Sequence, residues 1–186
     1  MKQYISTITG PDVNNGEGIR LTLWFQGCSH NCPGCHNPRT HEFVTEDTKK
    51  DFLPLMNNKY VNKKVEKVLD FELSRQDIEG NNFYDGITIS GGDALCGDDE
   101  AIKELILFVH WFHHTYRGMT IWIYTGFTIE YLKDRRPEIY NDLIKYCDVV
   151  VDGPFVQSKR DITLSFRGSS NQRIIKVSDL KFESNK

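Results

Sequence analysis

The chain has 186 residues, enough for one domain with a sizeable buried core. With 39% hydrophobic and 26% charged residues and a net charge of −3, it has an ordinary globular composition. Its scattered basic residues offer no electrostatic footprint for nucleic acid, and no apolar run approaches the roughly 20 residues of a membrane helix. The opening Met1-Lys2-Gln3-Tyr4-Ile5 lacks the apolar stretch of a secretory signal, so a cytoplasmic location is expected.

In chain order, Asn15-Gly16-Glu17-Gly18 first reads as a hairpin-like turn. Leu21 to Phe25 comes next as a short buried strand, running into a cysteine-rich loop. The polar stretch from Thr45 to Lys64 reads as an insertion. It opens a variable arm around residues 45–82, within a single domain spanning 1–186. Val61, Val65, Val68, Leu69 and Leu73 share one helical face, which stops before Gly80-Asn81-Asn82. Ile87 to Ser90 is the second strand. Ile102, Leu105, Ile106, Val109 and Phe112 mark the next helix, with Asp98 or Asp99 as N-cap. Ile121 to Tyr124 is the third strand, and Ile139, Leu143, Ile144 and Cys147 sketch a helix starting after Pro137. Val149 to Val151 is the fourth strand, and Arg173 to Val177 a late one. Strands alternating with helices predict right-handed crossovers and a mostly parallel sheet. The units are too few for a closed eight-stranded barrel, so the expected fold is α/β, an open, partial (β/α) barrel.

Chemistry concentrates in the turns at the strand ends. These turns are Gly27-Cys28-Ser29-His30-Asn31-Cys32-Pro33-Gly34-Cys35-His36-Asn37, then Gly91-Gly92-Asp93, Thr125-Gly126 and Asp152-Gly153-Pro154. Ligand sites in parallel α/β folds gather at the carboxyl ends of the strands, so the four turns are expected to surround one cavity. Cys28, Cys32 and Cys35 have Cys-x3-Cys-x2-Cys spacing. Three local thiolates suit a four-iron cluster with one iron open; the alternative is a zinc site completed by His30 or His36. Five cysteines, three of them between positions 28 and 35, do not read as a disulfide framework. Gly91-Gly92 reads either as a tight turn or as a place where a ligand meets the backbone. Asp93 reads as an anionic acceptor or as a helix cap. Cys96 and Cys147 read as small buried hydrophobes, and His113-His114 as packing.

The cysteine loop resembles the radical S-adenosylmethionine superfamily. Further motifs narrow this to the activating proteins of anaerobic ribonucleoside-triphosphate reductases. They are Asn15-Gly16-x-Gly18-x-Arg20, Cys32-Pro33-Gly34-Cys35-His36-Asn37, Ser90-Gly91-Gly92-Asp93, Tyr124-Thr125-Gly126, Val151-Asp152-Gly153-x-Phe155 and Arg167-Gly168-Ser169-Ser170-Asn171-Gln172. Ala94 departs from the proline that usually comes after Gly-Gly-Asp in the family. The resemblance implies a radical S-adenosylmethionine fold in which Cys28, Cys32 and Cys35 hold a [4Fe–4S] cluster, the seat of catalysis. It implies that Gly34, Cys35 and His36 line S-adenosylmethionine, with Gly92 and Asp93 receiving its ammonium. The implied activity is oxidoreductive: the cofactor is cleaved to methionine and 5′-deoxyadenosine, leaving a glycyl radical on the partner reductase. A low-potential donor such as flavodoxin is implied as a second partner. The competing expectations are activation of another glycyl radical enzyme of the pyruvate formate-lyase type, and radical chemistry on a small molecule. The Arg167 to Gln172 segment carries no chemistry derivable from its residues.

Overall fold

The computed structural model describes residues 2–182. β1 (Tyr4–Asp12) and β2 (Arg20–Phe25) form an antiparallel pair joined through the Asn15 to Gly18 turn. A short β3 (Leu53–Pro54) adds to the outer edge of β1, and β4 (Met56–Asn57) and β5 (Tyr60–Val61) make a separate two-stranded ribbon. α1 (Lys63–Leu73) leads to β6 (Gly86–Gly91), α2 (Asp99–Thr115) to β7 (Thr120–Tyr124). α3 (Ile129–Arg135) and α4 (Pro137–Asp142) lead to β8 (Val149–Asp152), and β9 (Arg173–Lys176) returns antiparallel beside β8. The seven-stranded sheet has the order β3-β1-β2-β6-β7-β8-β9, with β2, β6, β7 and β8 parallel. The fold is mixed α/β with a mostly parallel centre, and its edge strands β3 and β9 lie at opposite ends, so the sheet does not close. No helix among the described residues is long and apolar enough to cross a membrane.

Side chains alternate across a strand, so each face of the sheet can be read from its register. Leu23, Ile89, Ile123 and Val150 lie side by side on one face, each with no exposed surface, and the helices cover them. Burying each such side chain contributes about 1.5–3 kcal/mol. The opposite face carries Thr22, Thr88 and Trp122 in one row and is also buried. At its amino end Arg20, 0% exposed, donates to Thr88 Oγ1 (2.8 Å), Thr120 Oγ1 (2.9 Å), Thr120 O (2.8 Å) and the Ile87 carbonyl, with its guanidinium over Trp122. One guanidinium thus spans three strands, and burial lowers its pKa to about 10.

Several expectations need correcting. Within the arm around 45–82, Leu55, Met56, Val65, Leu69 and Leu73 belong to the main core. Val61 lies in β5, and α1 begins after Asn62, whose side chain caps Lys64 N–H. Val68 is 38% exposed, off the buried face. The helix expected from Ile139 to Cys147 is broken: α4 ends at Asp142, a 3-10 turn covers Ile144–Tyr146, and Cys147 comes after it, buried. β1 and α3 are elements that the hydrophobic pattern did not reveal. Asp98 is the N-cap of α2, accepting from Ala101 N–H.

Candidate functional site

Because β2, β6, β7 and β8 are parallel, their carboxyl ends share one edge. The four turns expected there do meet, around a cavity of about 600 Å³. That size lies within the ~300–1,000 Å³ usual for small-molecule sites. Cys28, Cys32 and Cys35 all line it, half-buried and free of disulfides. The loop that carries them is anchored at its base by Gly27 N–H to Thr40 O (2.9 Å) and Cys28 N–H to His41 O (3.0 Å). Between the last two cysteines Gly34 takes φ +73°, a left-handed turn that suits glycine, and Cys35 N–H bonds back to Cys32 O. The Cys35 sulfur accepts from Asn37 N–H at 3.3 Å. Three convergent thiols with a backbone donor to one sulfur, facing an open cavity, fit a cubane iron–sulfur cluster.

His36 also lines the cavity, its ring 5.4 Å from that of Phe155. Gly34, expected to line the cofactor, turns its α-carbon toward Gln157, where a Cβ would lie 3.0 Å from the side chain. Gly92 faces the cavity, and its smallness also has a cause within the protein. A Cβ there would stand 2.4 Å from Gly27 O and 2.9 Å from Thr40 O, so it is the base of the cysteine loop that requires glycine.

Asp93 is 4% exposed and its carboxylate joins three of the four turns. Oδ1 accepts from Leu95 N–H at 2.9 Å, capping a short 3-10 turn. Oδ2 accepts from His30 Nε2, Thr125 Oγ1 and Gly126 N–H, each at 2.9 Å. The hydrogen bond to Asp93 raises the His30 pKa to about 10, so the ring between Cys28 and Cys32 is protonated at neutral pH. Gly126 lies directly under that ring; a Cβ there would approach it to 2.5 Å.

Cys96, which the sequence separates from the loop, is brought against it. Its sulfur accepts from Ser29 Oγ at 3.2 Å. The neighbouring Cys96 lowers the Cys28 pKa, and the Cys28 neighbour together with burial raises that of Cys96. Cys147 is far less accessible, its thiol donating to Leu143 O at 3.6 Å.

The Arg167 to Gln172 segment closes the cavity from the side of β8. The Gln172 Oε1 accepts from Gly168 N–H (2.9 Å) and Ser169 N–H (3.2 Å), and Asn171 Nδ2 donates to Pro154 O (2.8 Å). Arg167 lines the cavity and donates to Gln172 O at 2.9 Å. Gly168 fits against Phe155 and His36. This motif is a self-bonded turn serving as a wall.

Comparison with known proteins agrees with this donor set. Residues 14–175 match the family described as a 4Fe-4S single cluster domain. The chain is 34% identical over 172 residues to the anaerobic ribonucleoside-triphosphate reductase-activating protein of Pasteurella multocida, covering 92% of this chain and 94% of that one. The protein of the same name from Escherichia coli K12 is 34% identical over 161 residues, 87% of this chain and 90% of the relative. The one from Enterobacteria phage T4 is 29% identical over 168 residues, 88% and 87% of the two chains. With matches along nearly its whole length, this chain belongs to the family of anaerobic ribonucleoside-triphosphate reductase-activating proteins.

Proposed function

We propose that this chain activates an anaerobic ribonucleoside-triphosphate reductase by generating a radical on a glycine of that partner. The observation that carries the reading is the convergence of Cys28, Cys32 and Cys35 on one cavity beside the Gly91-Gly92-Asp93 turn. In this reading the three thiolates hold a [4Fe–4S] cluster, and the open barrel, of radical S-adenosylmethionine type, forms one domain around it. When bound and reduced, such a cluster would supply the electron for reductive cleavage of S-adenosylmethionine, the chemistry that would leave a radical on the partner's glycine. The protein's own residues position and shield. Cys35 and His36, with Gly34 shaping the turn between them, flank the cofactor. The Gly92 backbone meets its ammonium, and Asp93 sets a negative charge behind that turn while tying the cysteine loop to the turn after β7. Phe155 and Phe166 supply apolar wall, and the Arg167 to Gln172 turn closes one side against water.

Cluster potentials span about −700 to +450 mV, and cleavage of a sulfonium requires the low end, so a donor such as reduced flavodoxin is the second partner. Free thiols at the site suit a reducing cytoplasm. The test is to mix the reduced, cluster-loaded protein with S-adenosylmethionine and a cognate anaerobic reductase and record electron paramagnetic resonance. An organic radical should appear, its hyperfine pattern changing when glycine is isotopically labelled, and be absent with Cys32→Ser. Rapid formation of deoxyadenosine on a small molecule, with no radical on any reductase, would overturn the proposal in favour of metabolite chemistry.

A further inference from the structure

We infer that Cys96, His30 and Asp93 form a second metal site, one that takes a zinc-like divalent cation.

The geometry comes first. His30 Nε2, Asp93 Oδ2 and Cys96 Sγ all lie within 4.8 Å of one another, and the nitrogen–oxygen pair is 2.9 Å apart. Tetrahedral zinc, with bonds of about 2.0–2.3 Å, needs ligand atoms separated by about 3.3–3.6 Å. The shift required is small: the His30–Asp93 pair opens by a fraction of an ångström and the Cys96 thiol closes in. Water completes the tetrahedron as the fourth ligand.

The ligand chemistry selects the ion. One imidazole, one carboxylate and one thiolate suit zinc or ferrous iron, whereas magnesium and calcium want oxygen alone. Burial favours a site as well, since the Asp93 side chain is 4% and the His30 side chain 17% exposed.

A supporting shell is already built, and it does not depend on the His30–Asp93 bond. Leu95 N–H, Thr125 Oγ1 and Gly126 N–H aim the carboxylate, and Ser29 Oγ donates to the Cys96 sulfur. Such outer partners fix ligand orientation and are half of a metal site's design. On binding, the cation displaces the Nε2 proton of His30 and the Cys96 thiol proton, with no change of oxidation state.

Cobalt(II) is the probe, added to the full chain prepared without iron. In Cys32→Ser/Cys35→Ser protein the cluster triad is gone while Cys28, Cys96, His30 and Asp93 remain. That protein should bind one cobalt ion with tetrahedral ligand-field bands and thiolate charge transfer, both removed by added zinc. Adding Cys96→Ser should weaken cobalt binding by at least about a hundredfold, the upper end of losses seen for outer-shell changes. With all three loop cysteines intact, Cys96→Ser should still assemble a full cluster. Unchanged cobalt affinity and spectrum after Cys96→Ser would overturn the inference. If the parent never assembles a cluster yet the cobalt site forms, the proposed function fails and the second site stands.

Discussion

Asp93→Asn keeps the side-chain shape and removes the charge from the centre of the rim. The carboxylate receives four donors, from Leu95 on Oδ1 and from His30, Thr125 and Gly126 on Oδ2. An amide offers one oxygen and one NH2, so one of those two sides turns from acceptor to donor. The less costly arrangement points the NH2 at Leu95 N–H and loses a cap, typically about 1 kcal/mol. The bond to protonated His30 drops from charge-assisted, about 1.5–3 kcal/mol, to neutral, about 0.5–1.5 kcal/mol. The sum is a destabilisation of about 2–3 kcal/mol at neutral pH.

Its pH dependence has a definite sign. The folded-state His30 pKa of about 10 lies above the ordinary 6.5, so the stabilisation is complete below 6.5 and drains away as pH rises through 10. The gap between parent and variant should therefore shrink over that window. Urea unfolding of metal-free protein at both ends of the window measures the gap, and imidazole NMR tracks His30 directly. In the variant the His30 midpoint should fall back toward the ordinary range, with burial lowering it and the Cys96 neighbour still holding it up. A His30 that titrates in the ordinary range in the parent, or a variant as stable as the parent, would refute the reasoning.

Gly92→Ala should lower iron content as well as cofactor binding. Its Cβ would press the Gly27 carbonyl at 2.4 Å, an overpacking cost of about 1–3 kcal/mol delivered to the base of the cysteine loop. Iron analysis after anaerobic reconstitution checks this, and a full complement of iron would count against it. Arg20→Met should destabilise the fold by about 2–5 kcal/mol, because the Ile87 and Thr120 carbonyls and two threonine hydroxyls lose their buried donor. Urea denaturation measures that loss; a variant at parental stability would show that water or repacking satisfies those groups.

The sequence made the central architecture legible because β2, β6, β7 and β8 are buried on both faces. Leu21 to Phe25 and Ile121 to Tyr124 therefore stand out as short apolar runs that end in glycine turns. Parallel order then brings those turns together, whatever the details of the helices. β1 escaped notice because most of its residues are exposed or half-exposed, and its antiparallel pairing to β2 contains register shifts. The Ile139 to Cys147 pattern looked helical because its apolar residues do all face the core, and periodicity alone cannot show that the chain changes from α to 3-10 after Asp142.

The site was legible where spacing is local, as in the cysteine loop. It was not where contact is long-range. Cys96 meets Ser29 across 67 positions of chain, and nothing near Cys96 in sequence announces that meeting. A short 3-10 turn capped by Asp93 carries it there. Gly92 shows a subtler gap. Its need for glycine was legible, but the neighbour that imposes it, the Gly27 carbonyl, belongs to a loop 65 residues earlier.

The division of labour between the two faces of the sheet bears on how the protein is matured and repaired. The aliphatic face with its helices is complete without any of Cys28, Cys32 or Cys35, which stand at the rim, outside the core. In the proposed reading, loading is therefore an event on a finished scaffold, unlike small zinc domains whose chain collapses when the metal leaves. A newly made chain would wait for its inorganic cargo, and one stripped by oxygen would be refilled without being unfolded first. Thermal unfolding of metal-free protein should accordingly remain a single cooperative transition, and repeated cycles of oxidation and anaerobic refilling should return the same iron content.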